Sequence, residues 1–277
     1  METLLTVPTG TLPGDVFARE RRNDIVRLVS ELGRVRVREL AVRFGVSEVT
    51  IRKDLAALEG EGRVTRTHGG ALVPDRDRPE ASFDLRERLQ QVEKARIGAA
   101  AAALVHDGDS IVMDASTTGL AVARRLRQVG GWSQLTVITN GLRIATELAG
   151  SQGITVLMTG GRVRWEAMSV VGDLGGGLFE RINVQTAFVG AAGFTLEAGL
   201  SDATDEEAQI KRSMVAAARR VIAIVDHTKW HRVAFATFCE TPQIDAVLTD
   251  DVAPADMVDD LRARGIEVTL VPQGPAA

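Results

Sequence analysis

The chain of 277 residues has one cysteine, Cys239, so no disulfide can form within it. That spacing-free cysteine usage fits a reducing, cytoplasmic setting. No apolar run reaches the ~18 residues needed to cross a membrane. The first residues, 1–17, lack a basic stretch followed by an apolar one, so no signal peptide is read there, and Pro8, Gly10, Pro13 and Gly14 suggest a loose tail. Lysine is scarce: Lys53, Lys94, Lys211 and Lys229 stand against 29 arginines. In so arginine-rich a chain, a retained lysine points to a place where a compact ammonium is preferred to a planar fork. The four histidines are scattered, and only His227 and His231 have an i, i+4 spacing, in a stretch that reads as a turn. No metal-ligand set and no Ser/His/Asp or cysteine-nucleophile arrangement is legible, so no metal, no cofactor and no enzymatic role are expected.

Hydrophobic residues make up 45% and charged residues 25%, enough for a sizeable core, and the length suggests two domains or one large one. Net charge is −4 but unevenly placed. Residues 19–73 carry 12 basic and 8 acidic side chains, a net of +4, while 74–277 carry 21 and 27, a net of −6. A basic module on an acidic body suits nucleic-acid contact at one end.

Three short helical patterns open the chain. Ile25, Leu28, Val29 and Leu32 fall at i, i+3, i+4, i+7, and Val37, Leu40, Ala41 and Phe44 repeat the spacing. Ile51, Leu55 and Leu58 form the third stripe, with Gly45 closing the second helix and Ser47 capping the third. This is helix-turn-helix spacing. On the third helix Val49, Arg52, Lys53 and Ala56 face away from the apolar stripe, a basic, small-residued face fit for the major groove. Arg52 and Lys53 would reach guanine or phosphate, and Ser47 and Thr50 would lie at the phosphate margin. An ordinary three-helix bundle with a solvated basic face is the plain alternative. The β-prone run 63–73 with its Gly69-Gly70 turn predicts a wing hairpin, on which Arg66 and His68 would meet the backbone or minor groove. Domain boundaries are expected at 17–73 and 80–272, separated by the charged, proline-bounded run 74–79.

Beyond the linker, apolar runs alternate with helical patterns. Strands are expected at 110–114, 135–139, 154–159, 186–189, 221–226, 246–249 and 267–271, and helices at 94–105, 117–127, 142–148, 205–219 and 255–264. Such alternation predicts an α/β domain with a mainly parallel sheet covered on both faces. Ligands of these sheets bind at the carboxyl ends of strands. The expected ends carry Asp114-Ala-Ser116-Thr117-Thr118-Gly119, Thr139-Asn140-Gly141, Thr159-Gly160-Gly161, Gly190-Ala-Ala-Gly193 and Asp226-His-Thr-Lys229. Ser116, Thr117 and Thr118 fall where a strand becomes a helix, so hydroxyls, free N–H groups and the helix dipole favour an anion, a phosphate above all. Simple N-capping is the bland reading. Lys211 and Lys229 are candidates for neutralising that phosphate, although Glu207 and Lys211 at i, i+4 also fit a surface salt bridge.

Arg21, Ile25, Val29, the run Ser47-Glu-Val-Thr50-Ile51-Arg52-Lys53-Asp54-Leu55 and Arg66-Thr-His68-Gly69-Gly70-Ala71 together resemble the DeoR family of bacterial regulators. Residues 80–250 are similar to that family's sensor domain through Asp114–Thr118, Val137–Asn140, Gly160-Gly161, Ser169–Gly172, Phe188–Gly193, Gly199–Ser201, Glu207–Lys211 and Asp226–Lys229. The resemblance implies a winged helix-turn-helix followed by an α/β sensor domain with the fold of ribose-5-phosphate isomerase. It implies binding to a double-stranded DNA operator, usually repression, with a phosphorylated sugar as the releasing effector. Carried over by position, effector contacts fall on Asp114, Ser116, Thr117, Thr118, Asn140, Gly190 and Lys211, and Ser116 departs from the glycine common in the family. Two half-sites on an operator call for a homodimer or homotetramer. Two alternatives stay open. One is a sugar-phosphate isomerase-like enzyme using Asp114, Glu207, Asp226 and Lys211 as acid–base groups; the other is a DNA-binding protein whose C-terminal domain only oligomerises.

Overall fold

A computed structural model describes residues 13–32, 34–60, 64–67, 69–72 and 82–272. The chain divides into two compact units, Met1–Ala81 and Ser82–Ala277. No described helix is long and apolar enough to cross a membrane.

The first unit runs α1 (Pro13–Leu32), β1 (Arg34–Arg36), α2 (Val37–Phe44), α3 (Glu48–Gly60), β2 (Thr65–Thr67) and β3 (Gly70–Leu72). Residues 13–17, expected in a loose tail, are instead the first turns of α1, with Pro13 at the helix start where its missing N–H is no loss. The three strands pair antiparallel in the order β1-β3-β2, so the expected hairpin is present and is widened by β1. Ile25, Leu28, Val29, Leu40, Ile51, Leu55 and Leu58 form one buried core. Gly45 ends α2 at φ 63°, a left-handed turn that aims α3 across α2.

The second unit opens with α4 (Phe83–Arg88) and α5 (Gln91–Ala102). It continues through β4 (Ser110–Met113), α6 (Thr117–Val129), β5 (Leu135–Thr139), α7 (Leu142–Leu148) and β6 (Ile154–Met158). A hairpin of β7 (Arg162–Arg164) and β8 (Ser169–Val171) follows, then α8 (Asp173–Phe179), β9 (Val184–Val189), β10 (Gly193–Thr195) and β11 (Gly199–Asp202). The chain ends through α9 (Asp205–Ala217), β12 (Ala218–Ile224), a 3-10 turn at His227–Lys229, β13 (Ala236–Cys239), β14 (Ala246–Asp250), α10 (Ala255–Ala263) and β15 (Glu267–Val271).

Seven strands make one parallel sheet in the order β15-β14-β12-β9-β4-β5-β6, and they are the seven expected strands. Alternate residues serve opposite layers. On β4, Ile111 and Met113 pack with α5, α6 and α7, whereas Val112 packs with α9, α10 and the small sheet of β10, β11 and β13. A strand buried on both faces is apolar over most of its length, which is why the central segments read as apolar runs, whereas β6 and β15 at the sheet edges are partly exposed. The chain steps outward from β4 through β5 to β6, then returns to the other side of β4 as β9. The strand order therefore reverses between β4 and β9, and in sheets of this kind ligands are bound at the carboxyl edge beside such a reversal.

Candidate functional site

The carboxyl ends of β4 and β9 are tied by Asp114, which is fully buried. Its Oδ1 accepts the Gly190 N–H at 3.1 Å and the Ser116 hydroxyl at 2.7 Å. Its Oδ2 lies 2.5 Å from the Lys211 ammonium. Lys211 also meets Asp202 Oδ2 at 2.5 Å, donates to the Gly190 carbonyl at 3.0 Å, and stands over the Phe238 ring. Asp202 ends β11 and Lys211 is in the second turn of α9, whose start is fixed by the Thr204 hydroxyl accepting the Glu207 N–H. An ammonium between two buried carboxylates offsets charge in a medium where an unpaired ion costs several kcal/mol. Burial pulls the Lys211 pKa down, but Asp114 and then Asp202 outweigh it and the net shift is upward. Burial likewise pushes Asp202 up, and Lys211 overcomes that to leave it below the ordinary carboxylate range.

The start of α6 borders this triad. Ser116 caps it, accepting the Gly119 N–H at 2.9 Å while donating to Asp114. Its hydroxyl is thus engaged in both directions, and the capping role read as the bland alternative is the one it fills. Thr117 and Thr118 follow in the first helical turn, 8% and 5% exposed. Asn140, at the end of β5, accepts the Ala115 N–H at 2.9 Å and donates to the Val170 carbonyl at 3.2 Å. It holds the Asp114–Ser116 loop against β8. Beyond it, Glu207 receives the Ser169 hydroxyl and Arg164 at 2.8 Å. Burial raises the Glu207 pKa, against the pull of Ser169 and Lys211.

The first unit has its own arrangement. Ser47 accepts the Thr50 N–H at 3.1 Å and shares a 2.9 Å hydrogen bond with the Thr50 hydroxyl, so α3 is capped as expected. Arg52 is exposed and paired with Glu48 at 2.8 Å; Lys53, Val49 and Ala56 are also exposed on that face. Arg66 on β2 is exposed beside Glu59, at 3.6 Å, and His68 lies outside the described residues. Asp54, 2% exposed, receives Arg21 at 2.7 Å and Arg22 at 3.0 Å, locking α1 onto α3.

Residues 21–77 match the model of the DeoR-like helix-turn-helix domain, and 89–251 match that of the DeoR C terminal sensor domain. The chain belongs to the DeoR family of transcriptional regulators. Among its relatives, the HTH-type transcriptional regulator GolR of Listeria innocua is 35% identical over 92% of this chain and 99% of its own length. The HTH-type transcriptional repressor GlcR of Bacillus subtilis is 32% identical over 93% and 98%. The glycerol-3-phosphate regulon repressor of Escherichia coli is 30% identical over 91% and 98%. Similar solved structures include ribose 5-phosphate isomerase A from Methanocaldococcus jannaschii, at 16% identity and a TM-score of 0.35 over 50% of this chain and 53% of that one.

In this DeoR-family chain Asp114, Ser116, Gly190 and Lys211 are brought into direct contact, with Thr117 and Thr118 next along α6 and Asn140 one hydrogen bond away. Lys229 lies in the 3-10 turn at the carboxyl end of β12, where its charge bears on Lys94. The suggested Glu207–Lys211 surface bridge is not formed. Both side chains are buried, and each turns to partners from other elements, Arg164 and Ser169 for Glu207, Asp114 and Asp202 for Lys211. Asp202 and Lys94 were not singled out from sequence as site residues. Lys94 alone left a signal, as one of four lysines in an arginine-rich chain.

Proposed function

We propose that this regulator binds an operator through α3 and the β2–β3 wing, and leaves it when a phosphorylated sugar occupies the carboxyl edge at β4 and β9. The observation that carries the reading is the Lys211 ammonium held by Asp114 and Asp202 beside the start of α6. A helix start supplies unpaired N–H groups and a positive dipole end for a phosphate. Carboxylates and hydroxyls next to it are acceptors and donors suited to the hydroxyls of a sugar. The relatives' names point the same way: one governs a glycerol-3-phosphate regulon. Within this reading Thr117, Thr118 and the backbone of α6 receive the phosphate, Lys211 and Asp114 meet the sugar, and Ser116, Asn140 and Gly190 set the loop. On DNA, Arg52 reads the groove, and Lys53, Ser47, Thr50, Arg66 and His68 lie along the backbone. A homodimer or homotetramer presents paired reading heads to a two-fold operator.

The test is a thermal-shift screen of the full chain over pentose, hexose and triose phosphates and their unphosphorylated parents. It is followed by fluorescence anisotropy on the operator fragment for each compound that shifts the melt. A phosphorylated compound should raise the melting temperature and release DNA, while its parent sugar does neither. Stabilisation without release, or turnover of the compound at enzymatic rates, overturns the reading.

A further inference from the structure

Lys94 occupies the first turn of α5 and is 5% exposed. Its ammonium donates to the carbonyls of Arg86 at 2.5 Å and Leu89 at 2.7 Å, the closing residues of α4 and the turn behind it. It thereby clasps the α4–α5 turn, and the residue between the helices, Gln90, is held at φ 47°, a left-handed conformation rarely taken by a residue with a side chain. Two donors of the ammonium are accounted for; a third remains. At the carboxyl end of β12, Asp226 is 1% exposed. Its Oδ1 caps the 3-10 turn by accepting the Thr228 N–H at 3.0 Å and the Thr228 hydroxyl, but its buried Oδ2 has no hydrogen-bond partner. A buried carboxylate oxygen without a donor is costly, so such an atom marks either a bound water or a partner that arrives in another state.

We infer that Lys94 is a two-position latch: it clasps the α4–α5 turn in the structure described, and with effector bound it turns to Asp226 and releases that turn. The inference rests on the effector reading above and adds how occupancy is transmitted. Burial draws the Lys94 pKa down to about 8, with Asp226 the largest opposing influence, as expected of an ammonium poorly compensated by carbonyls and close to a carboxylate. A ligand can shift a two-state element only by interacting differently with its two states. An ammonium turned to the carboxyl edge adds positive charge on the side where an anionic effector binds, which supplies that difference. The segment let go, 82–90, directly follows the linker from the DNA-reading unit in sequence. Lys94 and Asp226 are therefore positioning residues: neither needs to touch operator or effector.

Hydrogen exchange on the full chain tests this with and without ligand. Without ligand, Lys94→Met should speed exchange across residues 82–92 by about tenfold or more, since the clasp is gone. Asp226→Asn keeps an acceptor for the Thr228 cap and should leave the segment protected. With a phosphorylated sugar that shifts the melt, the unaltered chain should lose protection at 82–92 and release operator. Asp226→Asn should bind the same compound within a few-fold, keep the segment protected, and need about tenfold more of it for half-release. Unchanged exchange in Lys94→Met overturns the latch whatever the ligand does. So does an Asp226→Asn chain that responds like the original, or one that no longer binds the compound, which would make Asp226 a direct contact. If no phosphorylated sugar shifts the melt, the effector reading fails, and the ligand-free comparison still decides whether Lys94 holds the turn.

Discussion

Ser116 stands in the space that a side chain at Gly190 would need: a Cβ built at 190 falls 2.5 Å from the Ser116 Cβ and 2.7 Å from its Oγ. The two residues end up face to face because Asp114 binds both, taking the Gly190 N–H and the Ser116 hydroxyl on one oxygen. The carboxyl ends of β4 and β9 can approach so closely only when one of them carries no Cβ. Gly190→Ala should therefore destabilise the sensor unit by about 1–3 kcal/mol, the usual cost of overpacking. Ser116→Gly removes the obstructing atoms at a cost of a few tenths of a kcal/mol for the lost cap and about 1.5–3 kcal/mol for the hydrogen bond that Asp114 loses. The double variant should lose less than the sum of the two single losses, a positive coupling read from urea melts of all four chains. Additive losses would mean that the two positions do not share this space.

How much of this was legible in the sequence follows from where each interaction is made. The central strands of the large sheet could be read because burial on both faces leaves apolar runs such as Ile111-Val-Met113, and the partly exposed edge strands β6 and β15 because they keep β-prone residues between turns. The reading helix could be seen because Ile51, Leu55 and Leu58, each at most 1% exposed, leave Arg52 and Lys53 on the other side. The β7–β8 hairpin and β10 could not: strands of three residues are too short to show a period of two. Asp202 was invisible for another reason. Its partner Lys211 is nine residues on, across a strand end and a helix cap, and only tertiary packing decides that Lys211 turns inward to it rather than outward to Glu207. The hydroxyl run 116–118 was read correctly as a helix start, but spacing cannot tell a cap from a ligand donor.

The Lys211 triad carries a stability prediction. Lys211→Met leaves Asp114 and Asp202 buried together without a cation, and breaking such a group by removing one partner costs about 3–5 kcal/mol. Adding Asp202→Asn to Lys211→Met should recover part of the loss, because one stranded charge is gone. The acid limb checks the same group. Lys211 holds the Asp202 pKa below its unfolded value despite burial. Its stabilising contribution is complete above the unfolded value of about 3.9 and is lost as pH falls through the folded one. Stability measured by urea melts from pH 6 downward should fall less steeply in Asp202→Asn than in the original chain. Parallel acid profiles would sink this assignment.

Lys94 gives the opposite limb. Its folded pKa of about 8, set by burial, lies below the unfolded value, so between the two the unfolded chain binds the extra proton. Stability should therefore rise with pH across that window, relative to a chain without this group. The difference in unfolding free energy between the original and Lys94→Met should grow in favour of the original from pH 8 to about 10.4, by up to about 3 kcal/mol. Subtracting the variant removes the other alkaline titrations. A difference independent of pH would show that Lys94 titrates alike in both states.

Arg52 and Lys53 are neighbours on α3, both exposed, and the physical chemistry of DNA separates what each does. Arg52 is held by Glu48 at 2.8 Å, an exposed i, i+4 pair worth under about 1 kcal/mol, so DNA can draw the guanidinium away at little cost. A guanidinium reading a guanine forms two parallel hydrogen bonds, and its loss costs about 1–3 kcal/mol at one base position. Arg52→Ala should weaken operator binding by that amount and flatten preference at that position, while binding to unrelated DNA changes little. An ammonium on phosphate carries no sequence information, so Lys53→Ala should weaken operator and unrelated DNA alike and reduce the slope of log affinity against log salt by about 1. Both are read from salt titrations of binding to the operator and to single-base variants of it. If the two substitutions behave alike in salt slope and base preference, the division of labour along α3 is wrong.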